Sequence, residues 1–165
     1  MCKFQAKRKR SNSAIEIYHL SQIDSLTGEE FERLLMNIFE KQGYEVELTK
    51  RSHDYGADLI MKKNNTISIV QAKCYGKNIG IKAVQEIISA KVHYRAEEMF
   101  VATNRYFSKD AVVLASEHNV KLIDRDVISV LVRKYISNIE LSQKKYVATN
   151  SAEREEIEAK YKFWI

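Results

Sequence analysis

With 165 residues, 45 % of them hydrophobic, the chain is long enough to bury a core and too apolar for a disordered protein. No apolar run approaches the roughly 18 residues that cross a bilayer, and no apolar stretch follows the charged N-terminus as in a secretory signal. The two cysteines, Cys2 and Cys74, form neither a disulfide framework nor a metal-binding pair. We therefore expect a soluble protein of the reducing cytoplasm, without a membrane partner.

A formal net charge of +5 is typical of proteins with a polyanionic partner, although many basic proteins bind no nucleic acid. Basic residues crowd the N-terminus, where a solvated tail and an arm lying on phosphates both stay open. Proline is absent, so no proline-rich linker divides the chain. We predict a basic arm at 1–22, one compact domain at 23–136 and a charged helical extension at 137–165.

The first helix is predicted from a capping box in which Thr27 caps and Glu30 stands at the third helical position. Apolar residues then recur at helical spacing until Gly43, a residue that commonly ends helices. This apolar face consists of Phe31, Leu34, Leu35, Ile38 and Phe39.

Three strands and then an alternation of helices and strands follow the first helix. The short polar turn at 63–65 favours an antiparallel hairpin, whereas the later alternation predicts parallel strands joined by right-handed crossovers. The fold class is therefore α/β, a central mixed β-sheet flanked by helices in the order α-β-β-β-α-β-α-β-α. The predicted strands are 44–49, 57–62, 66–73, 99–103 and 120–123, and the later helices are 80–94, 108–118 and 127–136.

Polar residues on the second and third strands are the strongest functional signal. Side chains alternate along a strand, so Gln71 and Lys73 share a face with Ile67 and Ile69, which we expect to face the core. A lysine at the end of a buried row is costly and seldom kept without a purpose. The hairpin can bring Asp58, at the start of the second strand, beside both polar residues.

These residue types suit phosphodiester hydrolysis. Oxygen atoms of Asp58 and Gln71, with the main chain near Ala72, could ligate Mg²⁺, which prefers oxygen ligands and retains several waters. The cation would lower the pKa of a bound water, while Lys73 would orient that water or stabilise charge on the phosphate. In the alternative interpretation, Asp58 closes a turn and Lys73 is a surface lysine whose stem covers the strand.

Further candidates come from two helices and a loop. Glu32, beside the apolar face of the first helix, is either a metal-binding carboxylate or a solvated charge. Gln85 falls within the predicted apolar stripe of the second helix and would need a buried partner, which the site could provide. Asp54 is either a turn residue or an accessory ligand. The predicted stripe consists of Ile81, Val84, Ile88 and Val92.

Seven short motifs follow one another along the chain: Gly28-x-x-Phe31-Glu32, Gly43-Tyr44, Asp54-x-Gly56-x-Asp58, Val70-Gln71-Ala72-Lys73-x-Tyr75, Gly80-x-x-x-Val84-Gln85, Val101-Ala102-Thr103-Asn104 and Leu122-Ile123-Asp124. In this order and spacing they resemble the catalytic domain of Mrr-type restriction endonucleases, within the PD-(D/E)XK nuclease superfamily. The resemblance covers roughly residues 24–132.

The resemblance implies a restriction-endonuclease-like fold and a metal-dependent DNA endonuclease. It places the family's aspartate at Asp58, its lysine at Lys73, its helical glutamate at Glu32 and its helix glutamine at Gln85. Gln71 replaces the superfamily's usual middle carboxylate, as in many Mrr-like members. One carboxylate fewer favours one tightly held cation over two.

The cofactor we expect is Mg²⁺, with Mn²⁺ as a substitute, and the expected partner is DNA. A DNA-binding module with weak or no catalysis and an RNA-processing nuclease stay open as alternatives. A cut through both strands usually implies a symmetric dimer, for which the stripe of Ile157, Tyr161 and Trp164 is a candidate interface. The candidate phosphate contacts, each of which could instead be solvated, are Tyr75, Lys77, Lys82 and Arg105.

Overall fold

The computed structural model describes residues 20–49 and 55–148, with side chains at 21–49 and 55–137. Asp54, most of the basic arm and the C-terminal stripe fall outside these residues. The elements are a 3₁₀ helix (Leu20–Ser25), α1 (Gly28–Lys41), β1 (Glu45–Leu48), β2 (Leu59–Lys63), β3 (Thr66–Lys73), α2 (Ile81–Tyr94), β4 (Glu98–Thr103), α3 (Lys109–Glu117), β5 (Val120–Ile123) and α4 (Arg125–Ala148).

The five strands form one mixed sheet in the order β1-β2-β3-β4-β5. The pairs β1–β2 and β2–β3 are antiparallel, whereas β3–β4 and β4–β5 are parallel. Asn64 and Asn65 have φ values of 49° and 65°, which the tight turn of a hairpin requires and asparagine tolerates. The predicted α/β class, element order and change of strand direction are therefore confirmed.

Helices cover both faces of the sheet. Helices α1 and α4 bury one face, where Leu34 and Val132 belong to the same cluster as Val70 of β3. Helices α2 and α3 bury the other face, where Ile87 and Ile69 belong to a second cluster. Because neighbouring β3 residues point to opposite faces, Gln71 and Lys73 lie on the α2 side.

The predicted capping box begins α1. The Glu30 amide donates to Thr27 Oγ1 (3.3 Å), and the Thr27 amide donates back to Glu30 Oε2 (2.8 Å). These reciprocal bonds satisfy amides that a helix start leaves without partners. The hydrogen bond from the Thr27 amide also holds the pKa of Glu30 below its ordinary value.

The buried face of α2 differs from the predicted one. Ile81 is 39 % exposed and Val92 is 85 % exposed, so the predicted stripe was wrong at both ends. The residues that do face the core share a different side of the helix, rotated by roughly one residue position. Two are alanines, whose small side chains let the helix backbone approach the sheet. They are Ala83, Val84, Ile87 and Ala90.

The last helix is longer than predicted. It begins at Arg125 and continues to Ala148, so the predicted end at residue 136 lies inside one helix. The reason is local, because no glycine or proline follows residue 136 within that helix to stop it. Some strand limits also shift, since β1 is shorter by one residue at each end and β2 begins just after Asp58. None of the helices in the described ranges combines the length and apolarity of a membrane span.

Candidate active site

A polar cleft opens between α2 and the adjoining ends of β2 and β3. It brings together Asp58, Gln71 and Lys73, the three residues on which the sequence prediction centred. Its lining consists of Tyr55, Gly56, Asp58, Gln71, Lys73, Lys82, Gln85, Glu86 and Ser89.

The Asp58 carboxylate lies against β3. Its Oδ2 atom accepts hydrogen bonds from the Ala72 amide (2.7 Å) and from Nε2 of Gln71. The main chain of Asp58 is also paired on both sides, with its amide donating to Val70 O (2.8 Å) and its carbonyl accepting from the Thr49 amide (2.9 Å). The sheet therefore fixes the aspartate and the buried glutamine in one orientation.

Lys73 ends β3 on the same face as Gln71. Its side chain is 20 % exposed, and its ammonium lies 3.0 Å from the Glu86 carboxylate of α2. Burial by itself would lower the pKa of Lys73, but the interaction with Glu86, aided by Tyr75 and Asp58, outweighs burial and raises it above the ordinary value. Lys73 is therefore a charged ammonium in the cleft and not a solvated surface lysine.

The rotation of α2 changes which of its residues reach the cleft. Gln85 is exposed at the rim and not within a buried stripe, which corrects the prediction. Glu86, which the sequence prediction missed, is partly buried beside Lys73. The sequence does contain a signal for Glu86. Lys82 and Glu86 have opposite charges and are four residues apart, so they lie on the same face of the helix. That face carries Lys82, Glu86, Ser89 and His93 at helical spacing.

Glu32 is not among the residues that line the cleft. It is partly buried on α1, the helix that covers the sheet face opposite α2. The structure therefore places Asp58, Gln71, Lys73 and the rim residue Gln85 around one cleft, without Glu32.

The four candidate phosphate contacts differ in how free their side chains are. Tyr75 is 51 % exposed, Lys77 is exposed and Lys82 has 86 % of its side chain exposed at the cleft. Arg105 is engaged instead, because its Nε donates to Tyr75 O (2.9 Å) and its guanidinium lies 3.8 Å from Asp24. Arg105 thus supports the turn that follows Lys73.

A buried polar network ties this turn to the rest of the fold. Asn104 is 1 % exposed, and its side-chain oxygen accepts a hydrogen bond from the Tyr75 amide (2.9 Å). Its side-chain nitrogen donates a hydrogen bond to Asp24 (3.1 Å). Arg125 donates to both carboxylate oxygens of Asp24 at 2.7 and 2.8 Å. These bonds from Arg125 hold the pKa of Asp24 below its ordinary value.

The donor set of the cleft fits a hard cation that keeps much of its water. Asp58 offers a carboxylate, and Gln71 carries a carbonyl oxygen that its hydrogen bond to Asp58 does not use. Oxygen donors of this kind are what Mg²⁺ prefers. Across the described ranges no group of three or more histidine, cysteine, aspartate or glutamate side chains could enclose a metal ion. A cation here would therefore depend on few protein ligands.

The chain is similar in structure to several solved proteins. A solved protein of unknown function, AF1548, is 16 % identical and matches with a TM-score of 0.53 over 62 % of this chain and 64 % of its own. The restriction endonuclease MspJI, solved with a 27-mer oligonucleotide, is 19 % identical (TM-score 0.47; 70 % of this chain, 27 % of that one). The modification-dependent restriction endonuclease AspBHI is 18 % identical (TM-score 0.47; 74 % and 39 %). The chain thus spans less than two thirds of each of these proteins.

No curated protein matches the chain significantly. The family model for the restriction endonuclease Mrr catalytic domain, however, matches residues 23–132, about two thirds of the chain. That match contains the whole sheet and every described residue that lines the cleft. The chain therefore belongs to the Mrr-type restriction endonuclease family.

Proposed function

We propose that this domain is a divalent-cation-dependent endonuclease that hydrolyses phosphodiester bonds of DNA, acts in the cytoplasm and uses Mg²⁺, with Mn²⁺ as a substitute. The observation that carries the proposal is the meeting of Asp58, Gln71 and Lys73 in one cleft of a restriction endonuclease domain. A carboxylate, an amide oxygen and a charged amine are the groups that phosphodiester hydrolysis uses.

Asp58 and Gln71 would hold the cation. A divalent ion held there would lower the pKa of a bound water and offset the negative charge of the scissile phosphate. The hydrogen bonds from Ala72 and Gln71 keep the Asp58 carboxylate in place, so little reorganisation is needed when a ligand arrives.

Lys73 would act on the phosphate. Its ammonium is already charged and largely withdrawn from water, so it can hydrogen-bond a phosphate oxygen as negative charge develops there. The same group can orient the attacking water. Both roles would need the ammonium to be close to the cation. Gln71 and Lys73 lie on the same face of β3 because side chains alternate along a strand, so a cation at Gln71 would be near Lys73.

Three exposed side chains would bind the DNA backbone. Lys82 stands at the rim of the cleft, and Tyr75 and Lys77 follow Lys73 in the next turn. Phosphate contacts of this kind position the duplex without reading its sequence. A cut through both strands would need two copies of the site, as in a symmetric dimer.

A second candidate function is DNA binding with weak or no cleavage. The observation in its favour is Gln71, a neutral side chain where a carboxylate would hold a cation more tightly. This function would use the same cleft and the same exposed cations, without hydrolysis.

Incubation of supercoiled plasmid with Mg²⁺ or Mn²⁺ tests both candidates. We expect the wild type to nick or linearise the plasmid, and we expect Asp58→Asn and Lys73→Met to abolish cleavage while circular dichroism stays unchanged. Asp110→Asn, in the first turn of α3, is the matched control and should cleave normally. Full activity of purified Asp58→Asn would overturn the assignment, and DNA binding without nicking by the wild type would favour the second function.

A further inference from the structure

Glu86 is the one carboxylate in the cleft lining besides Asp58, among the residues that the structure describes. We infer that Glu86 is a positioning residue for Lys73: its carboxylate holds the Lys73 ammonium in the cleft, at the place where the phosphate would be cut. The inference rests on the proposed function, since it assigns Glu86 a role in that reaction.

The contact between the two side chains is direct. Lys73 Nζ lies 3.0 Å from Glu86 Oε2, and the two side chains are 20 % and 29 % exposed. Lysine has a long flexible side chain whose ammonium otherwise takes many positions in water. A partly buried carboxylate at hydrogen-bond distance restricts that freedom.

Glu86 is itself held in place by the backbone. A Cβ atom built on Gly56 would lie 2.7 Å from the Glu86 carbonyl oxygen and 3.1 Å from the Glu86 Cβ, so the loop packs tightly on this turn of α2. Gly56 precedes Asp58 by two residues. The same helix turn therefore sets the positions of the loop that leads to Asp58 and of the carboxylate that holds Lys73.

A second lysine also lies near the Glu86 carboxylate. Lys82 Nζ lies 3.9 Å from Glu86 Oε1, and 86 % of its side chain is exposed. Glu86 therefore stands between a partly buried lysine and a solvated one, with its negative charge compensated on both sides. This arrangement lets the carboxylate orient Lys73 while leaving the cleft attractive to a phosphate.

Two variants separate orientation from charge. Glu86→Gln keeps the shape and removes the charge, and Glu86→Asp keeps the charge and shortens the reach. We expect Glu86→Gln to lower the cleavage rate by about 10- to 100-fold, the range found when a metal ligand loses the partner that orients it. The KM for DNA should change less than twofold, and Glu86→Asp should recover part of the rate. The matched control is Glu117→Gln at the end of α3.

A readout independent of cleavage is the NMR signal of the lysine ammonium in protein labelled with ¹⁵N at Nζ. An ammonium held in an ion pair exchanges its protons slowly and is observed, and Lys73→Met assigns the signal by its loss. We expect the Lys73 signal in the wild type, its disappearance in Glu86→Gln and its retention in Glu117→Gln. Calorimetric titration with Mn²⁺ should give affinities within twofold for the wild type and Glu86→Gln.

Three results would overturn the inference. They are an unchanged cleavage rate in Glu86→Gln, an unchanged Lys73 signal in that variant, and a tenfold loss of Mn²⁺ affinity, which would make Glu86 a cation ligand instead. Should Glu86→Gln fail to fold, the comparison of Glu86→Asp with the wild type in the same three measurements decides. Absence of cleavage by the wild type would overturn the proposed function, whereas wild-type cleavage with an unaffected Glu86→Gln would overturn this inference alone.

Discussion

The side-chain amide of Gln71 donates a hydrogen bond to the Asp58 carboxylate across the antiparallel pair of β2 and β3. Gln71 is 3 % exposed, so its neutral amide satisfies the carboxylate in a place that water scarcely reaches. A glutamate at this position would set a second negative charge beside Asp58. An amide at position 71 therefore makes the cation-free fold more stable, whereas a carboxylate there would bind a cation more tightly.

Gln71→Glu should make stability depend on the cation. In EDTA we expect a loss of about 1–3 kcal/mol, since a buried charge replaces a satisfied hydrogen bond. With Mn²⁺ the variant should gain more stability than the wild type, because tighter binding to the folded state raises the melting temperature. Thermal unfolding with and without Mn²⁺ measures both effects. Gln85→Glu, which adds the same charge at the exposed rim, should change little in EDTA. A Gln71→Glu variant as stable as the wild type in EDTA would contradict this prediction.

Gly56→Ala should destabilise the fold strongly. Gly56 has a φ of +91°, and an added Cβ would meet the Glu86 carbonyl at 2.7 Å, so backbone strain and a backbone clash act together. We expect a loss of about 2–3 kcal/mol in urea unfolding. Gly76→Ala is the control, because a Cβ there meets nothing within 4 Å. Equal stability of the two variants would show that the contact between the loop and α2 is not tight.

Lys82→Ala should weaken DNA binding uniformly across sequences. Its ammonium is solvated at the rim of the cleft, where it can neutralise one phosphate. The slope of log K against log salt concentration should fall in magnitude by about 0.9, the contribution of one released counterion. Lys91→Ala, on a different side of the same helix, should leave the slope unchanged. Fluorescence anisotropy over a range of salt concentrations gives the slopes, and an unaltered slope for Lys82→Ala would rule out this contact.

Asp24→Asn should remove a pH-dependent part of the stability. Because Arg125 lowers the pKa of Asp24 in the folded protein, the carboxylate stabilises the fold above its ordinary pKa of 3.8. That contribution is lost as the pH falls below 3.8 and through the folded value. The Asp24 side chain is 30 % exposed, so we expect a difference of only about 1 kcal/mol near pH 7.

Urea unfolding of the wild type and Asp24→Asn at pH 7 and at steps below pH 4 checks this dependence. The gap between the two proteins should narrow as the pH falls. Asp110→Asn, in the first turn of α3, serves as the control for loss of a carboxylate. A gap that stayed constant or widened in acid would show that the carboxylate of Asp24 is not stabilised by Arg125.

Local patterns in the sequence were enough to predict the order of elements and the central residues of the cleft. The spacing of apolar residues and the Thr27–Glu30 box predicted α1, and the turn at Asn64–Asn65 predicted the hairpin. Alternation along β3 placed Gln71 and Lys73 on one face, because that period is a property of the extended chain itself. These features depend on neighbours within a few residues, which is why sequence reasoning reached them.

Tertiary packing decided which face of α2 is buried, and with it the places of Gln85 and Glu86. Isoleucine and valine occur on several sides of this helix, so hydrophobic spacing alone left its rotation open, and close contact with the sheet selected the face with Ala83 and Ala90. The contact of Gly56 with Glu86 and the pairing of Asp24 with Arg125, residues far apart in the chain, likewise arise only once the sheet has formed. The sequence alone predicted which residues meet in the cleft, and the packed fold determined which carboxylate stands beside Lys73.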